Sequence, residues 1–126
     1  TGPDLAREGT GNLKKSDGWH FRHFREPSSM SEGSIMPSYP FLMQQGIDTA
    51  STAAKINAMR KLGVPYEKGY EKYANEELMQ QANGIRINLK TEGIQIPANR
   101  EVIALIAYMQ RLGKDISKNK TATLNK

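Results

Sequence analysis

Apolar residues recur at helical spacing along most of the chain, and no segment shows the strict alternation that is typical of a half-buried strand. Two amphipathic stripes have this spacing: Ala53, Ile56, Met59 and Leu62 ahead of Gly63, and Leu78, Ala82, Ile85 and Leu89 further on. A third segment, VIALIAYM at residues 102–109, is apolar on nearly every side. It predicts a helix that is buried against more than one neighbour and ends at Gly113.

A shorter helix is predicted from Ser16 or Asp17, either of which can cap it, to Arg25, because Pro27 disfavours helical geometry at Glu26. Residues 27–40 hold three prolines and a glycine, so we expect no helix to cross them. Loops of this length inside compact domains are often functional, and the apolar residues in this one predict an ordered lining. Residues 91–97, TEGIQIP, predict a loop or a short extended segment. The fold class is all-α, with about four helices and long ordered loops.

The length of 126 residues fits one domain, and no apolar run is long enough to cross a membrane. The net charge of +5 comes partly from residues 114–126, which hold four lysines and one aspartate. We therefore expect a folded domain over residues 1–113 and a solvated basic tail over 114–126. The chain begins with Thr1 rather than Met, so we expect it to be a piece of a longer protein whose targeting or anchoring segment lies upstream.

Three motifs occur in order along the chain: GPDL at residues 2–5, SIMPSYP at 34–40 and LIAYM at 105–109. This order resembles class I cytochrome c. More narrowly, the segments TGPDLAREG, SDGWHFRHF, SIMPSYPFL and INAMRKLGVPY are similar to the membrane-anchored mono-haem cytochrome c subunit of cbb3-type cytochrome c oxidases. The resemblance extends over residues 1–113. It implies an electron-transfer subunit on the periplasmic side of the bacterial inner membrane, anchored by an upstream transmembrane helix.

The resemblance also implies a haem c pocket. By position Met36 matches the family's axial iron ligand, and Pro37 favours extended backbone at Met36. The other residues that the resemblance assigns to the pocket are Pro3, Leu5, Trp19, Ile35, Pro37, Tyr39 and Leu42. The implied partners are the catalytic haem–copper subunit, which receives the electrons, and the dihaem cytochrome c subunit.

The chain departs from the family pattern because it has no cysteine, and hence no Cys-x-x-Cys-His attachment motif. We expect that motif, the proximal histidine and the first helix to lie upstream, and this chain to be haem-free, with no catalytic site of its own. Class I cytochromes pack their first helix against their last. We therefore expect the helix at 100–112 to expose an apolar face drawn from Val102, Ile106 and Met109 or their neighbours, and the chain either to self-associate through this helix or to rearrange it.

Three other interpretations remain open. A haem-free helical module that binds other oxidase subunits is the main alternative. A basic nucleic-acid-binding domain would use the cations around the first helix, but nothing resembles a recognition module, so we predict no nucleic acid partner. His20 and His23 could share a copper ion with nearby methionines, although two imidazoles are an incomplete ligand set. The resemblance instead gives His20 a hydrogen-bonded structural role.

Overall fold

The computed structural model describes residues 2–114; Thr1 and most of the predicted tail, residues 115–126, lie outside the described range. Within it no strand occurs, and the all-α prediction is confirmed. The α-helices are α1 (Asp17–Arg25), α2 (Pro27–Met30), α3 (Phe41–Gln44), α4 (Thr52–Lys61), α5 (Ala74–Thr91) and α6 (Glu101–Arg111). Single 3-10 turns form at Leu5–Arg7, Gly11–Leu13 and Tyr70–Lys72. None of the described helices combines the length and apolarity needed to cross a membrane.

The proline-rich segment contains more helix than predicted, because α2 lies inside it. Pro27 occupies the first position of α2, where its missing N–H leaves no hydrogen bond unmade and its fixed φ suits the helix. Glu26, which precedes it, leaves helical geometry at φ −151° and separates α2 from α1. Residues 34–39, which include Met36, are non-helical, as predicted.

Three helices, α1, α5 and α6, enclose the core. Their buried apolar residues are Phe21, Phe24, Ala82, Ile85, Leu89, Val102, Ile103 and Ile106. The stripe predicted on α5 contributes three of these residues, so the sequence pattern identified its buried face. The stripe on α4 is weaker, because Ile56 is the one residue of α4 that is buried. Helix α4 therefore lies on the surface, joined to the 3-10 turn Tyr70–Lys72 and to α5.

The prediction that the last helix exposes an apolar face is wrong at two positions. Val102 and Ile106 are fully buried, and Met109 packs partly buried against the core. Helices α1, α3 and α5 all contact α6 and cover these residues. Burial of side chains of this size contributes roughly 1.5–3 kcal/mol each, which favours this arrangement over exposure. Tyr108, at 61% exposed, lies on the uncovered side. Self-association through this helix stays a prediction.

Candidate functional site

Met36 lies in a non-helical loop whose backbone is locally constrained. Its N–H donates to Ser34 Oγ at 3.3 Å, and Pro37 follows it directly. The Met36 side chain is half-buried and packs against the core. The next turn of the chain holds Tyr39 and Leu42, which pack against the same core. Met36, Tyr39 and Leu42 therefore all pack against the same core cluster.

The loop is attached to α1 by one backbone hydrogen bond. The Tyr39 N–H donates to the Phe24 carbonyl at 2.9 Å, and Phe24 is part of the core. The Tyr39 ring meets Phe41 edge-on, with centroids 6.0 Å apart. These contacts fix the backbone three residues after Met36.

A second attachment joins the end of α3 to the start of α6. Gly46 and Arg100 form an isolated antiparallel bridge, the Ile47 N–H donates to the Asn99 carbonyl at 2.7 Å, and the Glu101 N–H donates to the Gln45 carbonyl at 2.9 Å. Arg100 adds a side-chain bond from Nη1 to the Gln44 carbonyl at 2.9 Å. The chain that follows Met36 is thus held both by α1 and by the start of α6.

Trp19 lies on α1 among other rings. It stacks on His23, with centroids 4.6 Å apart and planes 21° apart, and meets the His20 ring edge-on at 5.3 Å. The Lys15 ammonium lies 5.5 Å from the centre of the Trp19 ring. Burial lowers the pKa of His23, against the opposing charge of Glu8, so its neutral form is favoured in the folded chain.

His20 is fully buried, and the hydrogen bonds predicted for it are absent. Neither ring nitrogen has a partner within the part of the chain that the structure describes. The ring lies edge-on to Trp19 and, at 6.5 Å, is stacked with Phe24, and neither residue hydrogen-bonds an imidazole nitrogen. Burial is the main cause that lowers its pKa; His23 and Lys15 add to the shift, and Asp17 opposes it. Burial therefore favours the neutral form of the His20 imidazole in the folded chain.

The remaining predicted pocket residues lie at the surface. Pro3 is exposed, Leu5 is 55% exposed on the first 3-10 turn, and Ile35 is completely exposed beside Met36. The N-terminal segment is docked on α6, since the Gly9 N–H donates to the Leu112 carbonyl at 2.9 Å.

Sequence reasoning missed the residue that anchors α1. Glu92, at the C-terminal end of α5, accepts the Gly18 N–H at Oε2 (2.7 Å) and the Ser16 hydroxyl at Oε1 (2.8 Å). Arg22 Nη2 donates to the Glu92 backbone carbonyl at 3.0 Å. The predicted cap at Ser16 is confirmed, because Ser16 Oγ also accepts the Trp19 N–H at 3.1 Å. Glu92 fell in the segment read as a loop, and nothing in the local sequence signals its long-range role.

Met36 is the one side chain of this set whose chemistry suits a haem iron. Met36 offers a thioether, the donor that suits haem iron opposite a histidine, and Ile35 and Leu5 offer apolar surface. The thioether bonds of haem c need cysteines, which the sequence does not contain. Among residues 2–114 no three His, Cys, Asp or Glu side chains are grouped as a metal site would require.

Comparison with known proteins identifies a family. No curated protein matches the chain. The family model described as "Cytochrome C oxidase, mono-heme subunit/FixO" matches residues 1–116, which is nearly the whole sequence. The match includes the Met36 loop, α1 and α6. The chain belongs to the FixO family of mono-haem cytochrome c oxidase subunits, which take part in electron transfer within that complex.

Proposed function

We propose that this chain forms the Met-side part of the haem c site in an electron-transfer subunit of a cbb3-type oxidase, with Met36 as an axial ligand. One observation carries this proposal: the half-buried Met36 side chain lies in a non-helical loop that is attached to α1 and to the start of α6. A ligand on a loop held in this way keeps its sulfur in one place. A thioether is a soft donor that raises the reduction potential of haem iron.

The haem c, when bound, supplies one-electron redox chemistry. The residues of this chain bind and orient it and exclude water from it. Met36 donates its sulfur, while Pro37 and Tyr39 hold the loop backbone. The apolar residues proposed to cover the ring are Pro3, Leu5, Trp19, Ile35 and Leu42. Apolar cover limits solvent access and thereby tunes the reduction potential.

The electrons pass from another cytochrome c to the low-spin haem of the catalytic haem–copper subunit, and the dihaem cytochrome c subunit is a further partner. The domain lies on the periplasmic side of the bacterial inner membrane. The cysteines that would attach haem c are not among the residues of this sequence. The family match supports the oxidase assignment.

A second candidate is a haem-free helical module that binds other oxidase subunits. The exposed apolar surface at the C-terminal end of α4 favours it, since Met59 is 43% exposed and Leu62, which follows the helix, is 80% exposed. In that case the Met36 loop has only a structural role.

Expression of the natural gene, with all the sequence it encodes upstream, in a host that attaches haem c tests both candidates. We expect covalent haem on a denaturing gel and a Met–iron charge-transfer band in the oxidised spectrum. Met36→Leu should abolish the band and lower the reduction potential. Met43→Leu is the matched control, since Met43 also packs against the core and the change conserves volume. Absence of covalent haem would favour the interaction module, and a band that survives Met36→Leu would refute the ligand assignment.

A further inference from the structure

We propose that Glu92 is a positioning residue for Met36, because by fixing the start of α1 it fixes the loop that carries the sulfur. This inference rests on the proposed role of Met36 as a ligand, and it assigns a task to a residue outside the Met36 loop. Glu92 lies far from Met36 along the chain, and three steps link it to the Tyr39 backbone, three residues after Met36.

The first step is the contact between the Glu92 carboxylate and the first turn of α1. One oxygen accepts the Gly18 N–H at 2.7 Å and the other accepts the Ser16 hydroxyl at 2.8 Å. Hydrogen bonds to a carboxylate are shorter and stronger than neutral ones, and negative charge is favourable at a helix N-terminus. Arg22, one turn later, binds the Glu92 backbone carbonyl at 3.0 Å. Glu92 therefore holds α1 through both its side chain and its main chain.

The second step is the absence of a side chain at Gly18. A Cβ at this position would lie 2.5 Å from Glu92 Oε1, closer than real contacts allow. Gly18 is itself buried. The Glu92 carboxylate can contact the first turn of α1 only because residue 18 is glycine. The position of the carboxylate therefore depends on both residues.

The third step is the transfer of this position to the loop. Helix α1 has nine residues, a length of about 13 Å. Its far end carries the Phe24 carbonyl that accepts the Tyr39 N–H. A shift of the first turn against α5 moves this carbonyl, and with it the backbone after Met36.

Loss of Glu92 should displace α1 without releasing it. Asp17 Oδ2 accepts from Asn88 Nδ2 at 3.0 Å, and Asp17 Oδ1 accepts from Gln110 Nε2 at 2.8 Å. Phe21 and Phe24 remain in the core. Variants at Glu92 therefore test the position of α1 separately from the folding of the chain.

The experiment compares Gly18→Ala, Glu92→Ala and the double variant with the parent chain, in the absence of haem. The readouts are the amide exchange rate of Tyr39 and the NMR shift of the Met36 methyl group. We expect Glu92→Ala to speed Tyr39 exchange at least tenfold and to move the Met36 signal. Gly18→Ala should do the same, because its methyl group displaces the carboxylate. In the Glu92→Ala background, Gly18→Ala should cause no further change in either readout, because no carboxylate is left for its methyl group to displace. The alanine itself should be tolerated there, since alanine favours helix more than glycine does.

The control is Glu76→Ala, an exposed carboxylate in the first turn of α5. It should leave both readouts unchanged. Glu92→Gln keeps one acceptor oxygen and should therefore restore part of the protection of the Tyr39 amide. If the Glu92→Ala variant does not fold, Glu92→Gln takes its place in the comparison. Two results would overturn the proposal: additive effects of the Gly18 and Glu92 changes, or a folded Glu92 variant with parental Tyr39 and Met36 signals. Since haem is absent from these measurements, neither result bears on whether Met36 binds iron.

Discussion

The Tyr39 N–H donates to the Phe24 carbonyl at 2.9 Å, and the Phe24 side chain lies in the core beside α6. One residue thus contributes both to the packing of the three main helices and to the position of the Met36 loop. The position of the Met36 loop therefore depends on the packing of the core. Any change that loosens α1 should be detected at Tyr39.

Truncation of the Phe24 ring should strongly destabilise the fold. Phe24→Ala removes a buried aromatic side chain, which typically costs about 3–5 kcal/mol in free energy of unfolding. Phe41→Ala is the matched control, because Phe41 is 46% exposed and leaves a much smaller cavity. Urea unfolding followed by circular dichroism measures both. Equal losses would show that Phe24 is not part of a tightly packed core.

Addition of a methyl group at Gly113 should release the N-terminal segment from α6. Gly113 has φ +84°, and a Cβ there would collide with the Ala6 backbone carbonyl. Gly63 has φ +94° with open space around it, so Gly63→Ala reports the cost of the backbone conformation alone, on the order of 1 kcal/mol.

Thermal unfolding of the two variants separates these effects. We expect Gly113→Ala to cost more than Gly63→Ala by about 1–3 kcal/mol. We also expect the amide of Gly9, which bonds the Leu112 carbonyl, to exchange faster in the Gly113 variant alone. Equal costs for the two variants would contradict the close packing of Gly113 on Ala6.

Stability should fall on mild acidification, mainly because of His20. Its pKa is lowered by burial in the folded chain, whereas the unfolded chain titrates near 6.5. Above that pH His20 is neutral in both the folded and the unfolded chain, and the full free energy of unfolding is present. As pH drops below it, the unfolded state binds the proton first, and stability is lost until the folded pKa is passed.

Urea midpoints between about pH 7.5 and about pH 5 measure this dependence. His20→Gln should flatten the curve. His23→Gln should flatten it less, because His23 is only half-buried and its pKa is lowered against the charge of Glu8. An unchanged curve in the His20 variant would assign the acid sensitivity to other groups.

Removal of the Arg60 guanidinium should loosen the segment between α4 and α5. Arg60 Nη2 donates to the Glu67 carbonyl at 2.7 Å and pairs with Glu71 Oε2 at 2.8 Å, and its Nε donates to the Tyr66 carbonyl at 3.4 Å. The hydrogen bond from Arg60 lowers the pKa of Glu71. Arg60→Met should speed amide exchange at Tyr70 and leave core amides unchanged.

Lys61→Met, which removes an exposed charge from the same helix, is the control for Arg60→Met. Arg60→Lys should not restore protection at Tyr70, because an ammonium cannot reproduce the planar fork of donors. Full rescue by lysine would show that only the charge of residue 60 matters.

The main helices could be predicted from the sequence because their signals are local. Ser16 and Pro27 delimit α1, and apolar spacing identifies the buried face of α5. The four residues of α2 carry no periodic signal, so the proline-rich segment read as loop throughout. The buried state of Val102 and Ile106 depends on which helices pack on α6, and an apolar pattern does not specify its neighbours.

The candidate site was predictable only as far as motifs extend. Met36 and its prolines stand out in the sequence, but the bond between Tyr39 and Phe24 and the bonds of Glu92 join residues that the fold alone brings together. His20 shows the same limit. Buried polar side chains normally have a hydrogen-bond partner, so nothing in the sequence indicated a buried imidazole without one among the described residues.

Because Phe21 and Phe24 come early in the chain and the α6 residues that cover them come late, the order of synthesis matters. A nascent chain that has not yet released α6 lacks three core side chains and the backbone partners of residues 45–47. Domains generally fold as units, so we expect the packing of α1 and the attachments of residues 45–47 to form only after α6 has been made.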